Sequence, residues 1–146
     1  MFPKLSLLLG ASAAFKVPLS LKKRPHPIVM GDNISMTNYN NDQYYANLYF
    51  GSASQTIDIL LDSGSSQCWV PVAGCSTSQC PGEKFATSSS NSFVDGTSSE
   101  TLTYGSGSVT GTWDTDRICL ADSLSKCTAT SFKILGVTSA SGMTGV

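Results

Sequence analysis

The sequence predicts an all-β fold, on three observations. Its Val, Ile, Tyr, Phe and Thr runs are short and bounded by Gly, Ser and Asn. Turn-forming residues recur at close intervals through the second half of the chain. No stretch carries the apolar 3.6-residue period of an amphipathic helix of useful length. With 146 residues, the chain can bury one real core. Net charge is −1 with 13% charged residues, so no basic field invites nucleic acid.

The first element is a leader. Lys4 precedes the apolar run Leu5 to Phe15, with Ala11-Ser12-Ala13 as a cleavage site, so residues 1–15 read as a secretory signal peptide. The alternative is an N-terminal core strand or helix. The run is too short to cross a bilayer, and no later segment is long enough. Residues 16–33 are basic and Pro-rich at their start and read as a pro-segment or linker. There Lys22-Lys23-Arg24 is either a processing site or a solvated charge run. Asn33-Ile34-Ser35 is a glycosylation sequon, usable if the chain is secreted. A single folded unit then occupies 34–146.

Within that unit, Tyr44 to Phe50 has the aromatic and apolar enrichment of a strand, Gly51-Ser52 a turn, and Thr56 to Leu61 a second strand. This strand turns apolar on both faces near its end, so that end is expected to be buried. Pro81 to Gly96 is turn-rich, with Phe85 and Phe93 as packing anchors. Thr101 to Tyr104 and Ser108 to Trp113 flank Gly105-Ser106-Gly107 and predict a hairpin with a Gly-rich tip. Asp116 to Leu120 and Ser131 to Val137 predict two more strands.

Five cysteines fit an oxidising compartment. Cys75 and Cys80 bracket a tight loop, and Cys119 and Cys127 bracket what reads as a hairpin tip. Cys68 is left over, as a free thiol or with a partner outside this chain. The only histidine, His26, lies in the leader, so no metal site is expected.

The chemistry centres on Ile59 to Pro71, ILLDSGSSQCWVP. An ionised Asp62 in an apolar setting costs on the order of several kcal/mol unless it is hydrogen-bonded. Gly64 lets the backbone turn and aim N–H groups at the carboxylate, and Ser63 and Ser65 add hydroxyl donors. Asp-Ser-Gly alone favours the reading of an Asx-turn at a hairpin.

The longer constellation resembles the first active-site loop of pepsin-like aspartic proteases. The family's other features follow in order: an N-terminal hairpin in YYANLYFGSASQTIDILL, a small disulfide loop in CSTSQC, a flap in TYGSGSVTG, and a later strand in FKILGVTSASG. FKVPLSLKKR resembles the start of a pepsin-type pro-segment.

The resemblance implies the N-terminal lobe of a bilobal fold, a double-psi-type β-barrel or sandwich with a flap hairpin. It makes Asp62 one of two catalytic aspartates. Gly64 donates its N–H to that carboxylate, Ser65 hydrogen-bonds its outer oxygen, and Ser63, standing where Thr is usual, braces the active-site loops. Tyr104 is the flap tyrosine, Trp69 hydrogen-bonds and positions it, and Gly105, Ser106 and Gly107 form the mobile tip that binds substrate main chain. The implied disulfides are Cys75–Cys80 and Cys119–Cys127. The implied substrate is an extended polypeptide with bulky apolar residues at the cut, with no cofactor, metal, nucleic acid or membrane partner.

Cys68 departs from the family pattern, where leucine is common. Only one aspartate loop is present, so the sequence reads as an N-terminal fragment, inactive without a C-terminal lobe. The other readings are a retroviral-type protease in which two identical chains each give one aspartate, and a non-catalytic peptide-binding lobe. The implied location is secreted, or vacuolar or lysosomal through the secretory route.

Overall fold

The computed structural model describes residues 34–41, 43–120 and 123–143. The expected signal, pro-segment and Asn33 sequon lie outside the described residues. Among the described residues, nine strands form two sheets, and the only helical turn is a 3-10 turn at Thr87–Ser89. The all-β reading therefore holds.

The first sheet is built on β2 (Gln43–Phe50). On one edge it pairs antiparallel with β3 (Gln55–Leu60), from Tyr45 opposite Leu60 to Phe50 opposite Gln55. Its other edge carries two strands in succession, β1 (Met36–Tyr39) and then β7 (Ile118–Leu120). The β1–β2 turn places Asn40 and Asn41 at φ 54° and 58°, a region that asparagine tolerates better than most side chains. The Asn41 N–H closes that turn on Asn38 Oδ1 at 2.8 Å. Between β2 and β3, Gly51 sits at φ 71°, and a Cβ there would lie 2.6 Å from Ser90 Oγ, so position and space both require glycine. The hairpin partner of β7 is β8 (Ser123–Cys127), with Cys119 opposite Cys127 and the two joined as a disulfide.

The second sheet runs β4 (Trp69–Pro71), β9 (Phe132–Ser141), β6 (Gly107–Asp116), β5 (Ser99–Tyr104). Strands β4 and β9 are parallel, and the other pairings are antiparallel. The β5–β6 hairpin is the expected one, with Gly107 already paired to Tyr104, so only Gly105 and Ser106 form its tip.

The main core joins the sheets. Phe50, Ile57 and Ile118 of the first sheet meet Val70 and Ile134 of the second, with Phe85 between. Phe85 and Phe93 both pack there, and the Phe85 ring lies 5.7 Å from Phe50 and 5.8 Å from Phe93. A second cluster of Val109, Leu135 and Val137 packs with the Cys75–Cys80 disulfide behind the hairpin.

Three strands went unforeseen. All four residues of β1 are exposed, so no burial pattern marked it. Strand β4 has three residues and exists through its parallel pairing with the distant β9. The expected tip between Cys119 and Cys127 is itself largely strand β8. Asp116 ends β6 rather than opening β7. The end of β3 is also less covered than expected: Ile59 and Leu60 are half-buried and Leu61 is 38% exposed.

Candidate active site

The loop from Leu61 to Cys68 connects β3 to β4 and is anchored at both ends. The Leu61 N–H donates to Tyr44 O at 2.8 Å, the last rung beside β2, and the Leu135 N–H donates to Cys68 O at 2.9 Å. Between these anchors the chain reverses. The Gly64 N–H donates to Asp62 Oδ1 at 2.8 Å, as the sequence led us to expect. A Cβ on Gly64 would stand 3.2 Å from that same oxygen, so glycine keeps the approach open.

Asp62 itself is exposed, contrary to the expected burial. The loop stands on the open end of the sheet, beside Leu61 and Tyr44, which are 38% and 40% exposed. Ser65 also differs from expectation. Its hydroxyl donates to Gln67 Oε1 at 3.3 Å and accepts from the Gln67 N–H at 3.4 Å, so its one proton is directed away from the Asp62 carboxylate. Ser63 is exposed and makes no hydrogen bond to another described residue.

A cleft of about 910 Å³ opens beside this loop. Asp62, Ser65, Trp69, Tyr104, Gly105 and Ser106 all line it, so two sequence-distant motifs meet at one surface. Ser63, Gly64 and Gly107 are not among the cleft's lining residues. Gly107 has a packing reason of its own: a Cβ there would lie 2.2 Å from Ser141 O. The hairpin base is thereby pressed onto the end of β9, and Ser106 Oγ reaches Met143 Sδ at 3.9 Å.

The hydrogen bond expected from Trp69 to Tyr104 does not form. Both side chains pack on the second cluster, which holds their apolar ring bodies and leaves the polar tips unmatched. The Tyr104 hydroxyl is buried and has no partner among the described residues. Cys68 is a free, half-buried thiol against the main core, and its burial pushes its pKa up. It is poorly suited to act as a nucleophile.

Sequence reasoning missed part of the lining. Gln43, Tyr45 and Asn47 face the cleft from β2, Asp58 from β3, Glu83 from the segment after the first disulfide, and Met143 from the end of β9. The first three recur at every second position, so the period-two pattern held that signal. Asp58 then follows by register, since it lies opposite Asn47.

Comparison with known proteins agrees with this geometry. The eukaryotic aspartyl protease family matches residues 43–144. Vacuolar protease A of Neurospora crassa is 32% identical over 111 residues, 75% of this chain and 26% of that protein. Aspartic protease 3 of Caenorhabditis elegans is 32% identical over 117 residues, covering 78% and 29%. Pepsin A of Gallus gallus is 30% identical over 109 residues, covering 73% and 30%. The matched stretch thus spans roughly a quarter to a third of these relatives' length. On the family match, which covers more than half of it, this chain belongs to the eukaryotic aspartyl proteases.

Proposed function

We propose that this chain is the N-terminal lobe of a pepsin-like aspartic endopeptidase and supplies the first catalytic carboxylate and the flap. The observation that carries this reading is the Asp62 carboxylate, clamped by the Gly64 amide at 2.8 Å on a cleft shared with the Tyr104–Ser106 hairpin. An amide donor fixes one carboxylate oxygen and leaves the other free for a water or a second carboxyl.

Two carboxyls a few Å apart cannot both ionise easily and so share one proton. The ionised member takes a proton from water, which attacks the peptide carbonyl. The protonated member polarises the carbonyl oxygen, and a proton passes to the leaving nitrogen. Asp62 supplies one of the two groups, and a C-terminal lobe supplies the other. The exposed Leu61 and Tyr44 beside the loop support such a partner, because an apolar rim around a catalytic carboxylate excludes water once covered. The substrate is a polypeptide. The two disulfides support a secretory route, ending outside the cell or in a vacuole.

The competing reading is a symmetric dimer in which each copy gives its own Asp62, since the same exposed rim would serve a second copy. One experiment separates the two. The chain alone, and the chain extended by its downstream coding sequence, are assayed for turnover of an unfolded polypeptide in acid. The expected result is activity in the extended protein only, abolished by Asp62→Asn. Turnover by the chain alone, lost on Asp62→Asn and accompanied by a dimer in sedimentation, refutes the lobe reading.

A further inference from the structure

The cleft carries a charge pattern that peptide hydrolysis does not require. Its charged lining residues are Asp58, Asp62 and Glu83, all acidic, and among the described residues no Lys, Arg or His lines it. Asp62 belongs to the proposed chemistry, whereas Asp58 and Glu83 do not. Both are exposed, and neither makes a hydrogen bond or ion pair with another described residue.

The nearest cation in sequence, Lys84, is committed elsewhere. Its Nζ donates to Cys75 O at 2.7 Å and reaches Thr77 Oγ1 at 3.5 Å, on the disulfide loop. Lys84 therefore stabilises the segment that presents Glu83 without neutralising it. The rest of the wall is largely apolar, including Ile57, Ile59, Leu60 and Trp69.

A concave, apolar surface carrying charge of one sign concentrates the field and the ions of opposite sign. We propose that this cleft selects peptides that carry a cationic side chain next to the apolar residues it grips, with Glu83 and Asp58 as the residues that select it. The inference rests on the reading of the cleft as a peptide site and extends it to substrate class. Apolar contact gives affinity with little discrimination between similar side chains. A carboxylate facing lysine or arginine adds a charge-assisted hydrogen bond, which a neutral side chain of equal length cannot make.

The test is binding rather than turnover, so it stands apart from the fate of the second carboxylate. Two fluorescent extended peptides, identical except for lysine against norleucine at one position, are titrated into the full chain at low and high salt. The lysine position is moved along the peptide in a short series. At its best position the lysine peptide is expected to bind about tenfold more tightly at low salt, the factor given by one favourable charge-assisted contact. The preference should shrink in high salt and fall to near unity in the Asp58→Asn/Glu83→Gln variant.

Both substitutions are near-isosteric at exposed positions, and a melting curve on each variant shows that the fold is retained. Equal binding of the two peptides at every position, binding of neither, or a lysine preference that survives the double substitution overturns the inference. A clear lysine preference in a chain whose extended form shows no Asp62-dependent turnover upholds the inference while the protease reading fails.

Discussion

Phe85 connects core packing to the cleft, and its removal has a calculable cost. The side chain is 1% exposed and lies between two other rings, Phe50 at 5.7 Å and Phe93 at 5.8 Å. Truncating a buried phenylalanine to alanine costs about 3–5 kcal/mol, the upper end applying where neighbours cannot collapse into the space. Rigid rings on two sides resist collapse, and each aromatic pair lost removes about 0.5–1.5 kcal/mol beyond area burial. We therefore expect Phe85→Ala to lose about 4 kcal/mol, a large share of the roughly 5–15 kcal/mol that a domain of this size holds. Phe85→Leu fills most of the space but loses both aromatic pairs, so it should lose about 1–3 kcal/mol, less than the alanine variant.

The assay is equilibrium urea unfolding followed by the fluorescence of Trp69 and Trp113, comparing midpoints at constant slope. The Phe85 N–H also donates to Pro71 O at 2.8 Å, which fastens the segment carrying Pro81 and Glu83 to β4. Hydrogen exchange at that amide should therefore accelerate in Phe85→Ala more than in Phe85→Leu. A loss under about 1 kcal/mol for Phe85→Ala, or equal losses for the two variants, would refute the placement of Phe85 as the bridge between the sheets.

Two further outcomes follow from single contacts. Asp114 is 6% exposed on β6, and its pKa is raised by burial, opposed by the Gly96 N–H at 2.9 Å and assisted by the Asp95 charge. The folded chain thus binds this proton more tightly than the unfolded chain does. Stability from Asp114 is full below the ordinary value of 3.8 and is lost as pH rises through the higher folded value. Asp114→Asn keeps an acceptor for Gly96 and carries no charge, so its advantage in melting temperature over the wild type should grow from pH 3 towards neutrality; parallel profiles would contradict this. Gly107→Ala places a Cβ 2.2 Å from Ser141 O and 2.7 Å from the Gly142 carbonyl carbon, both backbone atoms, so the hairpin base must move off β9. We expect a loss of about 1–3 kcal/mol and faster exchange of the β6 amides near the tip, whereas a melt within about 0.5 kcal/mol of wild type would show that the base is slack.

Local chemistry was legible in the sequence, and what faced it across space was not. The β2–β3 and β5–β6 hairpins could be read because period-two patterns flank turn residues within a few positions. The Gly64 amide could be read for the same reason, since its partner oxygen is two residues away. Strand β4 could not, because its pairing partner, β9, begins more than sixty residues later and a three-residue strand has no period to detect. The Ser65 hydroxyl was assigned to Asp62 on motif alone, but Gln67, two residues downstream, competes for the same proton and holds it. Motif spacing shows which contacts are possible and does not rank competitors that are equally close.

The same limit bears on the Asp62 carboxylate. Asp62 carries one fixed contact from its own loop, while the rest of its surroundings come from β2, β3, the hairpin, and the segment 81–83. A carboxylate held by one amide and otherwise open takes its electrostatic surroundings from whatever faces the cleft. On the proposed reading, the acidic lining at Asp58 and Glu83 would bear on chemistry as well as recognition. A cationic peptide drawn in by those two residues would, on that reading, bring its positive charge towards the proposed catalytic pair. Placement of that charge along the peptide, nearer Glu83 or nearer Asp62, then decides whether selection and catalysis reinforce or oppose each other.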